Sequence, residues 1–267
     1  MDALQRVAVI AGYEWRRALA KKKVLALIIL SVAFQTLILV GEHELFVEGY
    51  LTNGTSLVWI TSVLEGSLFV QLIAIIVGGG SMSEEYEHGT ADILLSKPIK
   101  RVEYVSGKFL GGLSLLAMVE ALITFVGVTL SLGFFGAQSG LQFAPIMFLA
   151  IVYSSLIFFC LSFMFSEVFR GTTLAILLAF AVLFASLIMS PILTFLYGNS
   201  TRAIPTWAAT NFPSLVMSEL ITAPNVLPAG DLGALAQASL IIAVYAIVFT
   251  IIAAYRLLKS DVTKKTT

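Results

Sequence analysis

Long apolar stretches set the strongest limit on what this chain can fold into. A helix needs about 20 apolar residues to cross a hydrocarbon layer of about 30 Å. Six segments of the 267-residue chain approach or meet that length: 24–40, 57–80, 109–135, 143–165, 172–197 and 233–258. We therefore predict an all-α, multi-pass protein of the cell (plasma) membrane with six transmembrane helices, folded as a single transmembrane domain over residues 1–267.

Composition supports the membrane assignment and excludes several other classes of protein. Charged residues make up 12% of the chain and hydrophobic residues 58%, with a mean hydropathy of +0.96, whereas soluble domains carry about 25% charged residues. The single cysteine, Cys160, lies inside an apolar stretch, so one chain cannot build a disulfide framework or a cysteine-based metal site. We expect membrane lipid among the partners and no nucleic acid.

The distribution of lysine and arginine predicts how the chain is oriented in the membrane. Basic residues concentrate on the cytoplasmic side of membrane proteins, and fifteen of the sixteen here fall on one side of the predicted spans, with Arg202 as the exception. Both termini are therefore predicted to be cytoplasmic. Two N-x-[ST] patterns, at Asn53 and Asn199, fall in loops that this topology places outside, and whether either is glycosylated is left open.

Two segments outside the predicted spans have the character of interfacial helices. Residues 1–23 mix apolar and basic positions near helical spacing, which is typical of an N-terminal amphipathic elbow helix whose lysines and arginines meet anionic lipid. A solvated tail is the alternative. In the outer loop 198–232, Pro205 and Pro213 each stand near the start of a predicted short helix. We expect two short re-entrant helices in the outer leaflet between spans five and six.

Residues 81–108 hold the densest block of charge and lie between the second and third spans. Acidic residues come first and basic residues later, in the order Glu84, Glu85, Glu87, Asp92, Lys97, Lys100 and Arg101. Such an order suits a helix dipole, and Pro98 disfavours helical geometry at the residue before it. The pattern predicts a short helix, a turn at 96–98, and a second helix that starts near Ile99 and leads into the third span.

An apolar strip inside this charged segment favours a docking surface for a soluble partner. The strip consists of Ile93, Leu94, Leu95 and Ile99. A purely solvated loop has no reason to hold such a strip, since clustered exposed apolar residues mark interaction sites. A loop that only keeps its charges out of the membrane is the alternative.

A pair of glycines marks a close helix contact at the start of the third span. Gly107 and Gly111 form a GxxxG pattern, which lets helix backbones approach one another closely. The contact lies either within the helix bundle or between two protomers, and the sequence leaves both possibilities open.

The chain carries no nucleotide-binding or enzymatic signature of its own. A Walker A loop needs a glycine five positions before Gly107, where Val102 stands instead. Zinc-protease and serine-hydrolase motifs are absent as well, and neither the scattered methionines nor the pair Glu84 and His88 makes a metal site. We expect a non-enzymatic chain without a metal or cofactor; if ATP drives it, another chain binds the ATP and its Mg²⁺.

Two carboxylates fall inside predicted spans, where ionisable groups are costly enough to be functional candidates. A rise of about 1.5 Å per residue places Glu65 and Glu120 in a similar layer near or above the midplane. They are candidates for a substrate pathway if they face an internal cavity. The alternative is that each is protonated or hydrogen-bonded to a serine, threonine or glutamine on a neighbouring helix.

The motif between the second and third spans resembles that of the membrane subunits of the ABC-2 transporter family, including the permease of the copper-site maturation system for nitrous oxide reductase. The residues that carry the resemblance are Glu85, Gly89-Thr90, Leu94-Leu95-Ser96, Pro98, Arg101, Glu103 and Gly107-Lys108-Phe109-Leu110-Gly111. Further support comes from Glu14-Trp15-Arg16-Arg17 before span one and Asn211-Phe212-Pro213-Ser214 before span six. The order of elements covers essentially the whole chain.

The resemblance implies a permease that forms a homodimer or heterodimer with a second protomer and binds cytosolic ATPase subunits. ATP hydrolysis by those subunits would drive transport, with export as the expected direction. The charged segment would contain the coupling helix, and the residues implied in ATPase coupling are Glu84, Glu85, Glu87, Thr90, Asp92, Leu94, Leu95, Pro98, Arg101 and Glu103. Family members handle drugs, polysaccharides, lipids, sodium and metal- or sulfur-related cargo, so the resemblance names no substrate.

Two other classes of function stay open beside this leading hypothesis. One is an ATP-independent channel, secondary carrier or membrane assembly scaffold, although no inverted repeat of the kind that carriers show is visible in the sequence. The other is an intramembrane enzyme with Glu65 or Glu120 as general acid or base, which lacks a nucleophile or a metal constellation.

Overall fold

The computed structural model describes residues 3–48, 57–90, 100–198, 204–221 and 232–259. Within them, 93% of the residues are helical and none forms a strand. The helices are α1 (Ala3–Leu19), α2 (Lys22–Val47), α3 (Val58–Ser81), α4 (Ser83–Glu87), α5 (Arg101–Phe135), α6 (Ala144–Phe169), α7 (Thr172–Tyr197), α8 (Pro205–Ile221) and α9 (Leu232–Lys259), with a 3-10 turn at Leu141–Phe143. The predicted all-α fold is confirmed.

Six of the described helices are long and apolar enough to cross a membrane: α2, α3, α5, α6, α7 and α9. Each coincides with a predicted span, which confirms a multi-pass membrane protein. Helix α5 begins at Arg101 rather than at 109, because the helix predicted from near Ile99 continues into the third span without a break. The cytoplasmic location of the termini stays a prediction.

Helices α3 and α6 form the centre of the bundle. In their most apolar windows 67% of the residues are buried, against 17% in α7 and α9. Small side chains allow α3 to approach its neighbours closely: a Cβ added to Gly78 would lie 2.6 Å from the Phe159 carbonyl oxygen, and one added to Gly79 would lie 2.7 Å from the Ile176 side chain. Lacking side chains, these glycines permit the dense packing of three helices.

The outer helices present apolar side chains on the surface of the bundle. Phe195 of α7 is 90% exposed, and Ile29 of α2 and Leu240 of α9 are exposed as well. Hydrocarbon takes the place of water around a membrane protein, so such side chains carry no penalty for exposure there. Exposed apolar side chains of this kind fit the membrane protein that the composition predicts.

One predicted feature of the outer loop is wrong in detail. Two short helices were expected between spans five and six, whereas α8 is one continuous helix with Pro213 inside it. Proline removes one backbone donor, but membrane proteins tolerate it where polar side chains and neighbouring helices compensate. The donor missing at Pro213 is the one that would bind the Ala209 carbonyl oxygen, and the buried side chains of Trp207 and Phe212 hold the helix against the bundle.

The N-terminal helix α1 lies against the start of α5 through the GxxxG pattern. A Cβ added to Gly107 would lie 2.7 Å from Ile10 Cβ, and one added to Gly111 would lie 2.9 Å from the Ala11 backbone. Of the two contacts that the sequence left open, the structure therefore places this one within the bundle. The backbone of α1 sits directly on the two glycines.

We expect the substitution Gly111→Leu to separate α1 from α5. Overpacking a close contact costs about 1–3 kcal/mol, and each kcal/mol lowers the melting temperature by about 2–4 °C in a chain of this size. Thermal unfolding in detergent should therefore show a lower melting temperature. The matched control is Gly133→Leu on the same helix, where an added Cβ meets no atom within 4 Å. Equal melting temperatures for the two variants would contradict the packing described here.

Candidate functional site

A buried lysine lies where α1, α4, α5 and the end of α3 meet. Lys108 is 1% exposed, and its Nζ donates to Glu14 Oε1 at 2.7 Å, to Glu85 Oε1 at 2.5 Å and to the Ser81 carbonyl oxygen at 2.7 Å. An ammonium group has three hydrogens to donate, so these acceptors satisfy it fully. Burying a charge costs several kcal/mol unless it is paired and hydrogen-bonded in this way.

Arg17 of α1 reaches the same two carboxylates. Its Nη1 lies 3.3 Å from Glu14 Oε1 and 3.0 Å from Glu85 Oε1. Its Nη2 donates to the carbonyl oxygens of Gly80 and Ser81, the latter at 3.1 Å. The last carbonyls of a helix have no intrahelical partner and carry partial negative charge. Arg17 therefore caps the C-terminal end of α3 while it pairs with the carboxylates.

An ion pair between Lys21 and Glu84 extends this arrangement toward the surface. Lys21 Nζ lies 2.6 Å from Glu84 Oε1, and Arg17 Nε lies 3.5 Å from Glu84 Oε2. Burial lowers the pKa of the Lys21 ammonium, and the charge of Glu84 opposes that shift. We call these six residues the ionic cluster: Glu14, Arg17, Lys21, Glu84, Glu85 and Lys108. It holds three cations and three carboxylates, so its formal charge is zero.

The opposite flank of α4 is bound to the C-terminal end of α6. Ser166 Oγ accepts hydrogen bonds from the Met82 and Ser83 amides at 3.0 and 2.7 Å. Tyr86 donates its hydroxyl hydrogen to Glu167 Oε2 at 2.9 Å, and the Arg170 guanidinium lies 4.7 Å from the centre of the Tyr86 ring. A cation over an aromatic face is an attractive contact. Helix α4 is therefore held on two sides.

Glu87 ties the end of α4 to the start of α7. Its Oε1 accepts a hydrogen bond from the Thr172 amide at 2.7 Å, and its Oε2 accepts one from the Thr172 hydroxyl at 2.9 Å. The first amides of a helix lack intrahelical acceptors, and the N-terminal end of the helix dipole favours an anion. Glu87 therefore serves as a cap for α7 supplied by another element.

The first turn of α5 makes two further contacts. Arg6 of α1 pairs with Glu103 through Nε at 2.8 Å and Nη2 at 2.7 Å, a two-pronged geometry that holds a carboxylate in a fixed orientation. Arg101 Nη1 donates to the carbonyl oxygens of Leu257 and Leu258 at 2.9 and 3.1 Å. The ends of α1, α5 and α9 are thereby joined, and together with α4 they form what we call the charged end of the bundle.

The ten residues predicted for ATPase coupling are distributed unequally in the structure. Glu84, Glu85, Glu87, Arg101 and Glu103 make the contacts within the chain given above, and Thr90 Oγ1 lies 3.4 Å from the Glu85 carbonyl oxygen. Four others, Asp92, Leu94, Leu95 and Pro98, lie outside the described residues, as do Asn53 and Asn199. The described acidic residues therefore brace the segment, and their contact with an ATPase stays a prediction.

The two carboxylates within the spans do not face one common cavity. Glu120 is completely buried and accepts a hydrogen bond from Thr124 Oγ1 on its own helix at 2.8 Å. Glu65 is exposed on α3. The neighbouring residue Gly66 faces Ile123 of α5, 2.7 Å from an added Cβ, and successive residues of a helix point about 100° apart, since 3.6 residues make one turn. Glu65 therefore points in a different direction from Gly66, and its exposed carboxylate does not share the buried surroundings of Glu120.

The expectation that the basic residues of the N-terminal segment meet anionic lipid is wrong for three of them. Arg6, Arg17 and Lys21 pair with carboxylates of α4 and α5 instead. Pairing is favoured here because α1 lies on the glycines of α5, which brings its basic side within reach of Glu84, Glu85 and Glu103. Arg16, Lys22 and Lys23 are exposed, so their contact with lipid stays a prediction.

Sequence reasoning missed four members of the ionic cluster as site residues: Glu14, Arg17, Lys21 and Lys108. A signal was present for Glu14 and Lys108. Lys108 directly follows the first glycine of the GxxxG pattern, where a close helix contact buries its neighbours, and Glu14 is the acidic residue of a helix that is otherwise apolar and basic. A lone carboxylate on such a helix and a lysine in a helix contact are of opposite charge and predict a pair.

Comparison with known proteins agrees with the six-helix architecture and the motif between spans two and three. The family described as "ABC-2 family transporter protein" matches residues 8–262, nearly the whole chain. The chain belongs to the ABC-2 family. Among curated proteins, the comparison found no match to it. As a membrane component of a transporter, this ABC-2 protein is a permease rather than a catalyst, and ABC-2 permeases generally work with cytosolic ABC ATPase partners.

We expect Lys108→Met to destabilise this ABC-2 protein. Removing one partner of a buried ion pair costs about 3–5 kcal/mol, because an uncompensated charge is left in the interior. The apparent melting temperature in detergent should fall clearly. Adding Glu85→Gln to this variant removes the stranded charge and should restore part of the loss.

The matched control for this prediction is Lys22→Met, which removes an exposed lysine from the same end of the bundle. Its melting temperature should stay close to that of the unmodified protein, since exposed charges contribute little. A melting temperature for Lys108→Met equal to that of the control would show that the buried cluster does not stabilise the fold.

Proposed function

We propose that this ABC-2 protein is the permease subunit of an ATP-driven exporter. It forms the substrate pathway as a dimer with a second permease protomer and is coupled to separate cytosolic ATPase subunits that bind ATP and Mg²⁺. The same motif suggests a closer relation to the permease of the copper-site maturation system for nitrous oxide reductase, without assigning a substrate. Both termini and the charged end are in the cytoplasm in this proposal.

The observation that carries the proposal is the anchoring of α4 at the charged end. Glu85 joins it to Lys108 of α5 and Arg17 of α1, and Tyr86 and Glu87 join it to α6 and α7. A short helix that is tied to four others by charged and polar contacts moves with them. It is therefore suited to passing a displacement at the segment 81–108 into the membrane.

Coupling requires that the ATPase bind two conformations of the permease with different affinity. The ionic cluster supports this because it is made of directional contacts. A shift of α4 breaks or re-forms hydrogen bonds to Lys108 and Arg17 as a unit, since both cations share Glu85 Oε1. Packed, paired arrangements of this kind favour discrete states over gradual deformation.

We expect the double substitution Leu94→Asp and Leu95→Asp to abolish association with the ATPase while leaving membrane insertion intact. Two carboxylates placed in the apolar strip would have to be buried against the partner without cations to pair with. The measurement is copurification of the ATPase with the permease in mild detergent from the native host, with insertion followed by membrane fractionation.

The control for this experiment is His88→Asp, which introduces a carboxylate at an exposed position of the same segment. ATPase association should survive it. Unchanged association in the Leu94 and Leu95 variant would move the docking site elsewhere, and failure of any ATPase to copurify with the unmodified protein would remove the main support for ATP-driven transport.

A separate prediction concerns the carboxylates within the spans as parts of a substrate pathway. In a transport assay with a purified ATPase complex, we expect Glu120→Gln to reduce transport more than Glu65→Gln, because Glu120 is the fully buried group, with Thr124 as its hydrogen-bond partner among the described residues. Glutamine keeps the shape and the hydrogen-bonding oxygen and removes the ionisable group. Normal transport in both variants would assign the two carboxylates a structural role.

A further inference from the structure

An apolar groove follows α5 and α9 from the charged end toward the middle of the bundle. Its first section, with a volume of about 330 Å³, is lined by residues that include Val105, Phe109 and Leu258. The next section, about 400 Å³, shares Phe109 and Thr250 with the first and has Cys160 of α6 in its lining. The two sections are therefore continuous, and they open on the outer surface of the bundle.

The length of the groove matches one leaflet of a bilayer. Its lining on α5 runs from Val102 in the first section to Leu113 in the second, which is about 16 Å at 1.5 Å per residue. One leaflet contributes half of a hydrocarbon layer of about 30 Å. A hydrocarbon chain lying along the groove would start at the charged end and finish near the midplane.

The mouth of the groove at the charged end is basic. Arg101 is fixed there by its hydrogen bonds to the Leu257 and Leu258 carbonyls. Lys259 follows Leu258, which lines the groove, and its Nζ donates to the Tyr255 hydroxyl at 3.1 Å on the same helix. Arg256 lies near the same end, where its Nη2 donates to the Val168 carbonyl oxygen at 3.3 Å. One carboxylate, Glu167, interacts with Arg101 and Arg256. These four described residues, three cations and one carboxylate, carry a net positive charge.

We propose that this groove binds one acyl chain of an anionic phospholipid, whose phosphate lies beside Arg101 and Lys259. The occupant follows from the combination of features: an apolar channel one leaflet long needs a hydrocarbon chain, and a basic mouth at the same end needs a negatively charged headgroup. The inference depends on the membrane location of the protein and does not rest on the proposed ATPase coupling or the transported substrate.

The test uses the full-length protein in detergent, titrated with phosphatidylglycerol or phosphatidylcholine of identical acyl chains and followed by native mass spectrometry. We expect phosphatidylglycerol to bind about tenfold more tightly, because the basic residues at the mouth attract an anionic headgroup. The double variant Arg101→Gln and Lys259→Gln should lose most of that preference. The charge-matched control, Lys22→Gln and Lys23→Gln, changes two exposed lysines outside the groove and should retain it.

A second pair of variants tests the groove itself. Ala246→Phe places a ring in the second section and should weaken the binding of both lipids, whereas Ala236→Phe changes an exposed alanine of the same helix that does not line the groove. Melting temperatures identify any variant that misfolds. Equal binding by the two phenylalanine variants would overturn the proposal. So would a lower dimer fraction of Ala246→Phe with unchanged lipid binding, since the groove would then be covered by a second copy of the chain.

Discussion

The ammonium group of Lys108 is the point on which the charged end of this protein depends. It is fully removed from solvent and is satisfied by three acceptors that come from three different parts of the chain: Glu14 of α1, Ser81 at the end of α3, and Glu85 of α4. The mutual attraction offsets the desolvation of a buried charge only when geometry is good and every proton has an acceptor. Each of these elements must therefore be in place for the others to be stable.

Close backbone packing is what makes this arrangement possible. The two glycines at 107 and 111 bring the axis of α1 against α5, so that the side chains of Glu14 and Arg17 reach the interior. Arg17 then binds both the carboxylates and the last carbonyls of α3. Helix packing and charge pairing therefore depend on each other, because a larger residue at either glycine would move α1 and leave Lys108 with fewer partners.

Much of this fold could be predicted from the sequence, because the length of an apolar stretch reports directly on whether a helix can cross a membrane. The six spans, the helix over Arg101–Phe135 and the short acidic helix Ser83–Glu87 all follow from local patterns. The continuity of α8 could not be predicted in the same way. The helix continues through Pro213 with the side chains of Trp207 and Phe212 buried against other helices, and such contacts are not contained in a local pattern.

The candidate site, too, could be predicted from the sequence only in part. The charge of Glu84, Glu85 and Glu87 was evident, and the sequence suggested a surface for a partner, yet in the structure these carboxylates bind groups within their own chain. Their partners Arg17, Lys108 and Thr172 are 68, 23 and 85 positions away. Only the tertiary fold determines such pairs, since the same carboxylates on an isolated helix would face water.

The position of Gly89 shows where the braced part of the segment ends. Its φ of +67° is a conformation that residues with a side chain rarely adopt. Gly89 lies two residues after the end of α4, whose side chains are bound on two sides. The bonded residues Glu84 to Glu87 lie before this turn, and the apolar strip that the sequence predicts as a docking surface lies after it. In the coupling proposed above, the anchor and the docking surface stand on opposite sides of this glycine in the sequence: the residues before it would transmit a displacement to α1, α5, α6 and α7, and the residues after it would recognise the partner.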